Sequence, residues 1–131
     1  KPTAPPAERR KINEIVTEEI NRRLGLSLTD AFCGFKAYRT WALARLQLTE
    51  PGYAMPIELW VQAAHTGLKV VEIPVPRIYL DEARSFGGAL DNGGTRLEYY
   101  RQVLERSLDA VESRRDRIRA KSICGQGAGR C

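Results

Sequence analysis

The stretch Leu28-Thr29-Asp30-Ala31-Phe32-Cys33-Gly34-Phe35-Lys36-Ala37-Tyr38-Arg39 decides how this chain is read. Its centre, 31–38, is rich in aromatic and small residues. Period-two alternation puts Cys33, Phe35 and Ala37 on one face of a predicted strand, and Phe32, Lys36 and Tyr38 on the other. Gly34 in mid-strand reads as a bulge or a close backbone approach. Asp30 stands at the entry, with Lys36 and Arg39 at the far end. Two readings fit this pattern. In one, an acid and two bases hold a phosphate or a sugar. In the other, Asp30 caps a turn and Lys36 is simply exposed.

Upstream, the spacing predicts a helix over 7–24. Ile12, Ile15, Val16, Ile20 and Leu24 share one stripe, Pro5 and Pro6 suit the entry, and Gly25 suits the residue past the end. Arg10 and Asn13 lie in its first half. Downstream, a short helix is expected over 40–47, with Thr40 as N-cap. A further helix is expected over 56–66, opened by Pro56, stopped by Gly67 and burying Ile57, Trp60, Val61 and Ala64. Glu58 falls in its first turn between apolar neighbours. There it either complements the helix dipole or aims into a cleft at a sugar hydroxyl.

Runs 68–73 and 75–80 read as two short strands bent apart by Pro74 and Pro76. A loop over 81–94 follows, in which Arg84 and Ser85 supply donors suited to phosphate oxygens, beside Gly87-Gly88. Thr95-Arg96-Leu97-Glu98 has the form of a capping box, opening a last helix to about Arg119. Its inner face would be Leu97, Tyr100, Val103, Leu104, Leu108 and Val111.

Composition narrows the classes. The 131 residues carry a net charge of +5. Six of the basic residues (Arg114, Arg115, Arg117, Arg119, Lys121, Arg130) lie in 112–131 against two acids (Glu112, Asp116), so that stretch is expected to be a basic, disordered tail. A nucleic-acid binder calls for a basic stripe interleaved with aromatics on the body, and none is identified here. Three cysteines and a lone His65 make no zinc spacing, and a reduced, cytoplasmic setting fits them. No run of residues is long and apolar enough for a membrane span or a signal peptide. The chain opens on Lys1 and its one methionine is Met55, so it is read as processed or cut from something longer.

Taken in order, Arg10 and Asn13, Leu28–Arg39, Gly52-Tyr53-Ala54 with Ile57-Glu58-Leu59, Gly67–Val75 and Arg84-Ser85-Phe86 resemble the C-terminal half of family 2 glycosyltransferases of the dolichyl- or polyprenyl-phosphate sugar synthase type. The resemblance covers about 8–104. It implies a GT-A, α/β fold, here as its acceptor-side half: helix-rich with a small sheet of about three strands. It implies inverting transfer of a sugar from a nucleotide-sugar to an acceptor such as a lipid phosphate. Asp30 would then lie near the reacting centre. Lys36, Arg39 and Arg84, with Ser85, would contact phosphates, Glu58 would face the sugar or acceptor, and Arg10 and Asn13 would join the substrate side. A divalent metal, Mg or Mn, is implied for the full-length enzyme. This chain has no Asp-x-Asp to bind it, and Phe86 replaces the family's lysine after the loop serine. Alone, the chain is expected to be inactive. Its implied partners are the missing N-terminal half and, through a parent protein, a membrane. The alternative is a non-enzymatic, self-associating module, a homodimer held through unpaired sheet edges.

Overall fold

The computed structural model describes residues 7–76 and 88–126. It is built from helices: α1 (Ala7–Leu24), α2 (Thr40–Leu43), α3 (Met55–His65), a 3-10 turn (Gly88–Asp91) and α4 (Gly93–Gln126). Among the described residues α1, α3 and α4 pack on one another in all three pairings. The core between them is Ile12, Val16 and Ile20 from α1, Ile57, Trp60 and Val61 from α3, and Tyr100, Val103 and Leu104 from α4. These are the stripes read from the 3.6-residue spacing, because a helix gains stability by burying one apolar face. On the rim, Arg101 of α4 pairs with Glu19 of α1 at 3.1 Å, and Arg23 pairs with Glu105.

The ends follow local chemistry. Gly25 and Gly67 both take φ +67° after α1 and α3. Leu68 N–H then reaches back to the Ala63 carbonyl at 2.9 Å, closing the helix end as the left-handed glycine allows. At the start of α4 the cap is Asn92, not Thr95. Asn92 Oδ1 accepts the Thr95 N–H at 3.0 Å, so the helix begins three residues earlier than the capping-box pattern predicts. The segment expected as a short helix over 40–47 is helical only over Thr40–Leu43.

The expected sheet of about three strands is not there: no strand forms among the described residues. The reason is visible at 28–36. A strand needs a neighbour to take its N–H and C=O groups. Here side chains take them instead. Asn21 bonds both the N–H and the C=O of Leu28 at 2.8 Å. Thr17 accepts the Ala31 N–H at 3.2 Å, and Trp60 donates to the Ala31 carbonyl at 2.8 Å. Gly34 has open space where a side chain would sit, so no close approach explains it. In 68–76 the backbone has no paired strand either; Pro74 and Pro76 lack the N–H a ladder needs. The rest of the second expected run, 77–80, lies outside the described residues, as do Arg84 and Ser85. The basic stretch read as a tail is helical as far as Gln126.

Candidate functional site

The loop 28–36 is held by side chains from several elements. It crosses the end of the three-helix core and is fastened from α1, α3 and the 68–76 segment. Besides the bonds from Thr17, Asn21 and Trp60, the Glu72 carboxylate accepts the Thr29 N–H at 3.0 Å. Ala31 is fully buried, and Phe32 lies against the Tyr100 ring with centroids 4.8 Å apart. Burial pushes the Tyr100 hydroxyl above the ordinary tyrosine range.

Asp30 sits in the turn that this fastening creates. Its Oδ1 accepts the Phe32 N–H at 2.9 Å, the side-chain turn characteristic of aspartate. Lys36 folds back over the same loop. Its ammonium donates to the Cys33 carbonyl and lies 5.4 Å from the centre of the Trp60 ring. Burial lowers the Lys36 pKa from the ordinary lysine value, while Cys33 and Asp30 act against that shift. The result is a half-buried cation under the influence of a carboxylate and beside an aromatic face. An ammonium has three N–H donors, so Lys36 has capacity for a further acceptor. Such a corner can hold an anionic group and set its position relative to a carboxylate.

Glu58 is elsewhere occupied. It is buried, and its Oε2 accepts the N–H groups of Thr49 and Glu50, each at 2.8 Å. Its Oε1 accepts from the Thr49 hydroxyl at 3.0 Å and from the Gln62 amide at 3.2 Å. Gln62, one turn later, exchanges two hydrogen bonds with the backbone of Gln47 at 2.7 and 2.9 Å. Glu58 and Gln62 therefore hold the 47–50 segment against α3, and both carboxylate oxygens are used in doing so. Arg39 is exposed, Arg10 is exposed and Asn13 is half-buried. Of the expected set, Lys36 is the residue that folds over the Asp30 loop, through its bond to the Cys33 carbonyl.

Three residues of this corner were not singled out from sequence. Helical spacing marks Trp60 only as core, although a buried indole N–H needs an acceptor. Thr17 and Asn21 are polar residues four apart beside the α1 apolar stripe, a signal that this face meets backbone. Among the described residues no three His, Cys, Asp or Glu side chains converge as a metal site would require. The described residues of this corner therefore do not make a divalent-ion site. No described helix is long and apolar enough to cross a membrane.

No family model matches the chain, and no solved structure matches it. Over 70 residues, half of this chain, it is 33% identical to the undecaprenyl-phosphate mannosyltransferase of Micrococcus luteus. The match spans 29% of that protein's length. The chain is thus similar, over half its length, to part of a glycosyltransferase.

Proposed function

We propose that this chain is the acceptor-side part of an inverting family 2 glycosyltransferase that moves a hexose from a nucleotide-sugar to a lipid phosphate. The Asp30–Lys36 corner on Trp60 carries the reading: a carboxylate and a cation are set by one loop that three elements fasten. The partial similarity to a protein named for undecaprenyl phosphate and mannose supports the substrate class. In the reaction the bond from the anomeric carbon to the nucleotide diphosphate breaks, and a bond from that carbon to an acceptor oxygen forms on the opposite face. Asp30 lies at the reacting centre and orients the acceptor. Lys36, joined by Arg39, offsets phosphate charge, which matters most where charge develops during transfer. A divalent metal on the leaving diphosphate belongs to the parent protein's other half. Glu58 acts at a distance, by holding 47–50.

The test is Asp30→Asn in the longer parent protein, assayed for sugar transfer to a polyprenyl phosphate. The change keeps an acceptor oxygen for the Phe32 N–H, so the loop is preserved. Transfer should fall by about a hundredfold or more, in the range for a lost catalytic carboxylate, with an unchanged unfolding midpoint. Undiminished transfer would remove Asp30 from the reaction.

A further inference from the structure

The direction of the Asp30 carboxylate is set by the peptide groups around it, and these are held one by one. The peptide joining Leu28 to Thr29 is held at both ends. Its carbonyl accepts from the Asn21 amide at 2.8 Å, and its N–H donates to both Glu72 carboxylate oxygens at 3.0 Å. The peptide joining Asp30 to Ala31 donates its N–H to Thr17 Oγ1 at 3.2 Å. The next one, Ala31 to Phe32, gives its carbonyl to the Trp60 indole at 2.8 Å and its N–H to Asp30 Oδ1 at 2.9 Å. Between the held peptides 28–29 and 30–31 lies a single peptide, 29–30, so the backbone at Asp30 has little room to turn.

Three of these partners stand on helices: Thr17 and Asn21 on α1, and Trp60 on α3. Glu72 alone comes from outside the helices. It lies in the segment after α3, four residues past Leu68, which packs with Val70 against the core. Both Thr29 and Glu72 are exposed. Water satisfies an exposed N–H nearly as well as a side chain does, so this bond adds only modestly to stability. Its larger effect is on direction, because it fixes the peptide that leads into Asp30.

We propose that Glu72 is a positioning residue for Asp30, holding the Leu28–Thr29 peptide so that the Asp30 carboxylate keeps its orientation toward the reacting centre. The inference rests on the transferase reading of Asp30. Its first test is amide hydrogen exchange, read by nuclear magnetic resonance on the 131-residue chain. Glu72→Ala should speed exchange at Thr29 by about tenfold. It should also speed exchange at Phe32, whose N–H is held by Asp30 and not by Glu72. Ile20 and Val61, buried in the helices, should be unaffected. Faster exchange at Thr29 with none at Phe32 would overturn the proposal, since the bond would then serve Thr29 alone.

The second test is sugar transfer by the longer parent protein. Glu72→Ala should lower kcat by about tenfold or more, because small misplacements of a reacting group are costly. KM for the nucleotide-sugar should be unchanged, as no substrate contact is removed. Glu72→Gln keeps an acceptor oxygen for the Thr29 N–H and should restore most of kcat. In an Asp30→Asn background, Glu72→Ala should lower kcat no further, the non-additivity of a residue that acts through another. An additive loss would overturn the proposal by giving Glu72 a role of its own. Transfer lost in Asp30→Asn but intact in Glu72→Ala would overturn this inference alone. Undiminished transfer in Asp30→Asn would overturn the transferase reading instead, and exchange at Phe32, which needs no transfer, would then decide the coupling of Glu72 to Asp30 by itself.

Discussion

The indole N–H of Trp60 donates to the carbonyl oxygen of Ala31 at 2.8 Å, tying α3 to a loop 29 residues earlier in the chain. The same ring carries the Lys36 ammonium on its face. One core side chain thus fixes both the buried middle of the 28–36 loop and the cation that completes the Asp30 corner. Trp60→Phe keeps most of the apolar volume but leaves a buried carbonyl without its donor. The expected loss is about 2–3 kcal/mol, combining the unsatisfied acceptor with a small void, read by urea unfolding. On the proposed transferase reading, the same variant in a longer parent protein should also lower sugar transfer, because Lys36 loses its platform. A stability change below measurement error would mean that the loop is held without Trp60.

Glu58 makes a separate prediction. Its carboxylate accepts two backbone N–H groups from Thr49 and Glu50 and a third bond from the Thr49 hydroxyl. Glu58→Ala removes all of these and should cost about 2–3 kcal/mol, the range for bonds to a charged acceptor. Glu58→Gln keeps an acceptor oxygen and should recover roughly half of that. If Glu58 instead touched a sugar, alanine would leave the unfolding midpoint unchanged and weaken donor affinity. Thermal unfolding of both variants, with and without nucleotide-sugar, separates the two outcomes.

The helices were legible because their signal is local and repeated. Ile12, Val16 and Ile20, or Tyr100, Val103 and Leu104, mark a face from spacing alone, and Gly25 and Gly67 mark the ends. The strands were misread for a complementary reason. Alternation at 31–38 matches a pleat, but a strand exists only if another backbone pairs with it, and that partner is not written in the segment. Thr17 and Trp60 take the Ala31 backbone groups instead, and Asn21 and Glu72 fasten Leu28 and Thr29 just before it, from as far as 43 residues away. The Asp30 turn and the Lys36 cation were legible as a pair of charged residues in one motif. The seating of Lys36 on Trp60 was not, because it depends on how α3 meets the loop.

Gly67 gives a local test of helix termination. Its φ of +67° is one that a side chain adopts only at a cost, and the N–H of Leu68 relies on it to reach Ala63. Nothing crowds the position where a Cβ would be added. Gly67→Ala should therefore lose about 1 kcal/mol from backbone strain alone, and Gly25→Ala a similar amount for α1. Denaturant midpoints report both. A neutral result at Gly67 would mean that the chain leaves α3 by another route.

Tyr99 gives the fold a sensitivity to alkaline pH. Its hydroxyl donates to the Glu50 carboxylate, which also accepts from Arg106 at 3.3 Å, joining α4 to the turn before α3. Burial, followed by the bond to Glu50, pushes the Tyr99 pKa from 10.0 up to about 12. The unfolded tyrosine ionises first, so between pH 10 and 12 the unfolded chain binds fewer protons than the folded one. Stability is then fully present below pH 10 and is lost as pH rises toward 12. Tyr38 and Tyr100, both raised by burial, act in the same direction. Lys36 acts against them, because its lowered pKa makes the folded state lose its proton first. The unfolding midpoint in urea should fall across this window. Tyr99→Phe should flatten the fall without abolishing it. An unaltered alkaline slope in Tyr99→Phe would show that the Tyr99–Glu50 bond does not couple the fold to pH.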